Sequence, residues 1–177
     1  GAPVEMPWLS SVKAVLNLYL AGHAGGQAAA ELLVGIANPS GKLGESYPLC
    51  YNDVPSAGCY EIGGKQAQYR EGLYVGYRYY DTARKDVLFP FGYGLSYTRF
   101  DYQDLTLSHA ELDAPYEMKL SLKVTNSGPV DGAEVVQVYV RNVEPVVFRP
   151  EKELKAFAKI FLKSGETQQV NITLDAR

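Results

Sequence analysis

The apolar residues of this chain change their period near Phe100, which demands two different kinds of layer from one polypeptide. Beyond that point they alternate: Leu105 and Leu107; Met118, Leu120, Leu122 and Val124; Val136, Val138 and Val140; Ile160 and Leu162; Val170, Ile172 and Leu174. Successive side chains of a strand point to opposite faces, so this alternation predicts half-buried antiparallel strands with those residues turned inward. Asn126-Ser127-Gly128-Pro129, with Val130-Asp131-Gly132, reads as one turn between strands, and Ser164-Gly165-Glu166 as another. Short strands punctuated in this way predict a β-sandwich.

Before Phe100 the pattern is rich in glycine and helix-like. Val12, Val15, Leu16, Tyr19 and Leu20 carry helical spacing, with Ser10 and Ser11 as capping candidates and Gly22 as the stop. A second helix is expected from about Gly25 to Val34, ending at Gly35 ahead of Asn38-Pro39-Ser40-Gly41. Residues 48–68 are dense in Pro, Gly, Asn and Ser and predict a long loop, a candidate lid or rim. The aromatic run from Tyr69 to Asp81 predicts an edge or bulged strand, with Tyr77 and Tyr79 on one face and Tyr80 on the other. Phe89-Pro90-Phe91-Gly92-Tyr93-Gly94-Leu95-Ser96-Tyr97 reads as a packed turn leaving the first unit. The resulting fold class is α+β and multi-domain: a partial α/β sandwich of two helices and mixed-sheet strands over 1–98, then an all-β sandwich over 99–177.

Composition narrows the partners. The 177 residues suffice for a core without a disulfide framework. With 46% hydrophobic and 21% charged residues the chain reads as soluble and globular, and its apolar runs fall far short of the roughly 18 residues that span a bilayer. The net charge of -3, well mixed along the sequence, argues against nucleic acid as a partner, and no membrane association is expected. Cys50 and Cys59 fit either a small ring or two free thiols, so cytoplasmic and secreted locations both stay open. The cysteines lack metal-ligand spacing and His23 and His109 are far apart, so no metal and no cofactor is expected. The run from Gly35 to Gly41-Lys42-Leu43 has the wrong gap for a P-loop, and Leu43 stands where Ser or Thr must hold magnesium. Asn171-Ile172-Thr173 is a formal glycosylation sequon.

Several blocks occur together in a recognisable order. Gly22-His23-Ala24-Gly25-Gly26-Gln27, Ala30-Glu31-Leu32-Leu33-Val34-Gly35 and Asn38-Pro39-Ser40-Gly41-Lys42-Leu43 come first. Glu71-Gly72-Leu73-Tyr74-Val75-Gly76-Tyr77-Arg78-Tyr79-Tyr80-Asp81 and Phe89-Pro90-Phe91-Gly92-Tyr93-Gly94-Leu95-Ser96-Tyr97 follow. Together they resemble the late part of the α/β-sandwich domain of family 3 glycoside hydrolases, the β-glucosidase-type family. Arg149-Pro150-Glu151-Lys152-Glu153-Leu154-Lys155-Ala156-Phe157, leading to Leu162-Lys163-Ser164-Gly165-Glu166, is similar to the fibronectin type III-like domain that follows in that family.

The resemblance implies the carboxy-terminal portion of a retaining β-glycosidase, a β-glucosidase type that removes terminal β-D-glucosyl residues. It implies an aspartate nucleophile on a barrel domain and a glutamate acid/base on a sandwich loop, both upstream of Gly1-Ala2-Pro3-Val4-Glu5-Met6-Pro7-Trp8. The chain is therefore expected to be truncated at its front and, by a short stretch, at its back, with no catalytic residue of its own. A β-glucoside or oligosaccharide would be met only through the complete enzyme, with a barrel domain or chain as partner. The alternative is a non-enzymatic carbohydrate- or protein-binding β-sandwich module.

Retaining hydrolysis needs two carboxyls about 5–5.5 Å apart, so each local carboxylate has to be weighed. Glu71, flanked by Tyr69, Arg70 and Gly72, is the substrate-proximal candidate; its structural alternative is an ion pair or hydrogen bond near Arg78. Asp81 reads as a turn acceptor, and Glu5 and Glu31 as surface charges. His23 sits in a glycine-rich turn where backbone donors approach a ligand, and Tyr74 offers an apolar ring with a polar tip for a pyranose face. These three, His23, Glu71 and Tyr74, are the residues expected nearest substrate.

Overall fold

A computed structural model describes residues 2–60, 67–109 and 117–175. The chain divides into two compact units that interleave along the sequence. The first holds Gly1–Gln27, Lys42–Tyr93 and Arg141–Glu153, and the second holds Ala28–Gly41, Gly94–Val140 and Leu154–Arg177.

The second unit carries the expected strands: β3 (Phe100–Leu107), β4 (Met118–Asn126), β5 (Gly132–Val140), β6 (Glu153–Leu162, entered from the first unit at Glu153) and β7 (Thr167–Leu174). They form a three-stranded sheet in the order β3-β4-β7, antiparallel throughout, and a two-stranded sheet β5-β6. Leu120, Leu122 and Val124 from β4, Val170 and Ile172 from β7, Val136 from β5, and Ile160 and Leu162 from β6 close one core between the sheets. Alternation encodes that core directly, because each of these residues has the inward parity of its strand.

β3 departs from the expectation that Leu105 and Leu107 turn inward. Both are exposed on this edge strand, although Leu107 lies opposite the core residue Leu120; the register with β4 shifts between Gln103 and Thr106, where Asp104 adopts a left-handed φ of 55°. Asp104 is held by Lys123 across the ladder at 2.9 Å. Inside the sandwich, Glu134 of β5 is buried and accepts a hydrogen bond from the Tyr102 hydroxyl. Burial, reinforced by that carboxylate, pushes the Tyr102 phenol well above its ordinary value.

Both expected turns form. Asn126, wholly buried, organises the β4–β5 turn by donating through Nδ2 to the carbonyls of Val130 (2.8 Å) and Leu162 (3.1 Å). Its backbone N–H reaches the Glu166 carbonyl, and its carbonyl accepts from Gly165, whose φ of 78° suits the β6–β7 turn. Asn38 does comparable work nearby. Its Oδ1 accepts from Ser96 Oγ and the Tyr97 N–H, and its Nδ2 donates to the Asp131 carbonyl.

Helix α1 (Gly25–Leu33) forms where the sequence places it, on an alanine-rich stretch of high helix propensity. Gly35 (φ 78°) ends it: its N–H bonds the Leu32 carbonyl while Ile36 reaches back to Glu31, the paired bonds of a glycine C-terminal cap.

The helix expected over Val12–Leu20 is absent. A 3-10 turn (Leu9–Ser11) passes into backbone without regular structure, beginning with extended Val12 (φ -119°, ψ 151°). The helical stripe there also fits a period of two through Leu16, Leu18 and Leu20. A hydrogen bond from the Tyr19 N–H to Asn17 Oδ1, with Tyr19 at φ 47°, makes a turn where the helix would have to continue.

The strand expected over Tyr69–Asp81 is also replaced, by helix α2 (Tyr77–Ala83). Gly76 precedes it at φ 57°, ψ -131°, a region closed to residues with a Cβ, and Arg84 ends it in the left-handed conformation. Tyr77 and Tyr80, three apart on a helix, therefore share a side instead of opposing each other as on a strand. The first unit is completed by the antiparallel pair β1 (Tyr47–Pro48) and β2 (Val87–Phe89) and a 3-10 turn at Tyr51–Asp53 within the expected loop. Residues 61–66 of that loop, and the last two of the chain, lie outside the described residues. Among the described residues no helix is long and apolar enough to cross a membrane.

Candidate functional site

The aromatic blocks of the first unit condense into one packed region. Tyr77 stacks on Phe91 with ring centroids 4.7 Å apart, Phe89 stacks on Tyr93 at 5.4 Å, and Tyr47 meets the edge of Phe89 at 6.3 Å. Two backbone bonds join the segments flanking β1 and β2: the Leu43 N–H to the Tyr93 carbonyl and the Gly92 N–H to the Leu43 carbonyl, each 2.8 Å. Tyr80, buried on α2, has its phenol pushed up by desolvation.

Segment 149–153, which carries the Arg-Pro-Glu-Lys-Glu run, folds against α2. The Glu151 N–H donates to Thr82 Oγ1 at 3.0 Å, Lys152 pairs with Asp81 at 3.2 Å, and Arg78 pairs with Glu153 at 3.4 Å. Asp81 is thus an ion-pair partner rather than a simple turn acceptor. The carboxylate facing Arg78 is Glu153, not Glu71.

At the rim, Asp53 accepts hydrogen bonds from the Cys50 thiol (3.2 Å) and from Lys85 Nζ (3.1 Å). The thiol first, and then the lysine, hold the Asp53 carboxyl below its ordinary value; Asp53 in turn holds Lys85 above its own. Both cysteines are free thiols, which closes the question the sequence left open. Nothing local marks the Cys50–Asp53–Lys85 cluster in the sequence, because its members are brought together over 32 residues of chain.

The structure brings two of the three substrate-proximal candidates together. Glu71 and Tyr74 close a single tight turn, the Tyr74 N–H donating to the Glu71 carbonyl at 2.9 Å, with Gly72 between them at φ 58°. The Tyr74 ring packs on Phe148 at 5.3 Å, and its buried hydroxyl has no hydrogen-bond partner among the described residues. His23 occupies a separate exposed turn before α1, and among the described residues no hydrogen bond or ion pair joins it to Glu71 or Tyr74. Among the described residues there is also no group of three or more His, Cys, Asp or Glu side chains able to hold a metal ion. Ion pairs within this unit set Asp53, Asp81, Glu151 and Glu153 against cations. That arrangement fixes backbone segments.

Comparison with known proteins gives this geometry a context. Residues 1–97 match the Glycosyl hydrolase family 3 C-terminal domain, and residues 134–177 match the Fibronectin type III-like domain. The chain is 49% identical over 177 residues to the thermostable beta-glucosidase B of Acetivibrio thermocellus, covering 100% of this chain and 23% of that protein. It is 44% identical over 171 residues to an exo-alpha-(1->6)-L-arabinopyranosidase of Bifidobacterium breve, covering 97% and 22%. The crystal structure of beta-glucosidase 3B from Thermotoga neapolitana with glucose superposes with a TM-score of 0.90 at 38% identity, covering 99% of this chain and 25% of that one. The chain thus spans between a fifth and a quarter of the length of the proteins it matches.

Proposed function

Because the chain belongs to glycosyl hydrolase family 3, we propose that it is the carboxy-terminal portion of a retaining β-glycosidase, a β-glucosidase releasing terminal β-D-glucosyl residues. In that enzyme this portion supplies scaffold and domain-interface support, and a barrel domain or chain supplies the nucleophile. The observation that carries the reading is the 49% identity along the whole chain to less than a quarter of a β-glucosidase. The exposed Leu16, Leu18 and Leu20, and the nearly bare Val146 and Phe148, agree with it, since apolar surface of this kind is ordinarily covered by further polypeptide. The division at 98/99 into the end of the sandwich domain and a fibronectin-like domain belongs to the same proposal.

His23, Glu71 and Tyr74 are proposed to lie near substrate without performing proton transfer or attack. The similarity to an arabinopyranosidase as well as to glucosidases leaves the choice of sugar to the rest of the enzyme. The test is hydrolysis of an aryl β-D-glucoside by the complete enzyme carrying Glu71→Gln or Tyr74→Phe. The proposal expects KM to move with kcat largely retained, whereas a role as acid/base would cost about 10²–10⁴ in kcat.

A further inference from the structure

β6 turns an unusual row of side chains outward. Ile160 and Leu162 point into the core, so the opposite parity carries Lys155, Phe157, Lys159 and Phe161 to the outer face, with Lys163 next in line. All five are exposed, Phe157 by 69% and Phe161 by 60%. The neighbouring strand adds no acid to that face: Glu134 is the only charged residue of β5 and it is buried inward. Of the two carboxylates nearest in sequence, Glu153 shares the outward parity at the start of β6 and pairs with Arg78, and Glu166 is engaged by the Lys163 N–H.

Lysines on a sheet with an open edge are a usual guard against strand pairing, but that role gives no reason for two bare phenylalanines between them. We propose that this outer face of β6 binds a linear polysaccharide that carries carboxylates on some of its sugars. The apolar faces of pyranose rings would stack on Phe157 and Phe161, and the carboxylates would meet Lys159 and Lys163. A row one side chain wide and about 20 Å long, six strand rises from Lys155 to Phe161, fits an extended polymer better than a planar lipid surface. The inference goes beyond the hydrolytic role, because it needs no catalytic group.

Affinity electrophoresis of the full chain through gels containing carboxymethyl cellulose tests it, with hydroxyethyl cellulose as the neutral control. Retardation by carboxymethyl cellulose is expected to weaken with salt, and to fall by about tenfold, some 1.4 kcal/mol, in Lys159→Glu and separately in Phe157→Ser/Phe161→Ser. All three positions are exposed, and a far-UV spectrum matching the parent chain establishes that the variants fold. No retardation, or retardation indifferent to the phenylalanines, overturns the proposal. So does equal or tighter binding to phosphatidylserine vesicles or to oligodeoxythymidylate.

Discussion

The Thr98 hydroxyl donates a 2.6 Å hydrogen bond to Oδ1 of Asn126, and both residues are buried. The same Oδ1 accepts from the Gly128 N–H, while Nδ2 serves two carbonyls, so one side chain satisfies four polar groups at the turns. Replacing it leaves buried partners without bonds. Asn126→Ala is expected to destabilise the chain by about 2–4 kcal/mol, read as a lower urea midpoint at unchanged slope. A loss under about 0.5 kcal/mol would mean that water replaces the network.

Gly128 packs against the same pair. A Cβ there would fall within contact distance of Thr98 Oγ1 and 2.6 Å from the Arg99 nitrogen, so Gly128→Ala must displace backbone. Gly26, on α1, has open space in the same direction. Gly128→Ala is expected to lower the melting temperature, and Gly26→Ala to raise stability by about 0.5–1 kcal/mol. Equal effects at the two sites would contradict the packing described.

What the sequence made legible follows the range of the forces involved. β4, β5 and β7 were readable because burial of Leu120, Val136 or Ile172 is written into the parity of the strand itself, and α1 because Gly35 supplies its own stop. α2 was not. The aromatic content of Tyr77-Arg78-Tyr79-Tyr80 favours a strand, but Gly76, the stack of Tyr77 on Phe91 and the ion pairs to residues 152 and 153 select a helix. Those partners are distant in sequence. Segment 12–20 fits both periods, and its apolar residues find no core among the described residues to choose between them. Of the candidate site, the turn joining Glu71 to Tyr74 follows from local glycine, whereas the Phe148 contact and the Cys50–Asp53–Lys85 cluster depend on tertiary folding.

The Asp53 cluster sets a pH window. The Asp53 carboxyl lies below its ordinary value of 3.8, so its contribution is present above that value and lost as pH falls through the depressed one. Lys85 lies above its ordinary value of 10.5, so its contribution is present below 10.5 and lost as pH rises through the raised one. Asp53→Asn is expected to lower stability between those limits and to converge on the parent chain in strong acid, as followed by urea unfolding across pH. A constant difference down to the lowest pH would exclude the ionic origin.

The Arg78–Glu153 pair, with both side chains about a third exposed, is expected to contribute modestly. A double-mutant cycle with Arg78→Met and Glu153→Gln should return a coupling of about 0.3–1 kcal/mol. A coupling indistinguishable from zero would leave the Glu151 N–H bond to Thr82 Oγ1 and the Lys152–Asp81 pair as the contacts that fix segment 149–153.

The most direct measurement is the release of aryl alcohol from an aryl β-D-glucoside by this chain, purified and alone. A scaffold portion without the acid and nucleophile should give a rate equal to buffer. Turnover that copurifies with the chain and disappears in Glu71→Gln would place catalytic carboxyls within these residues and contradict the account.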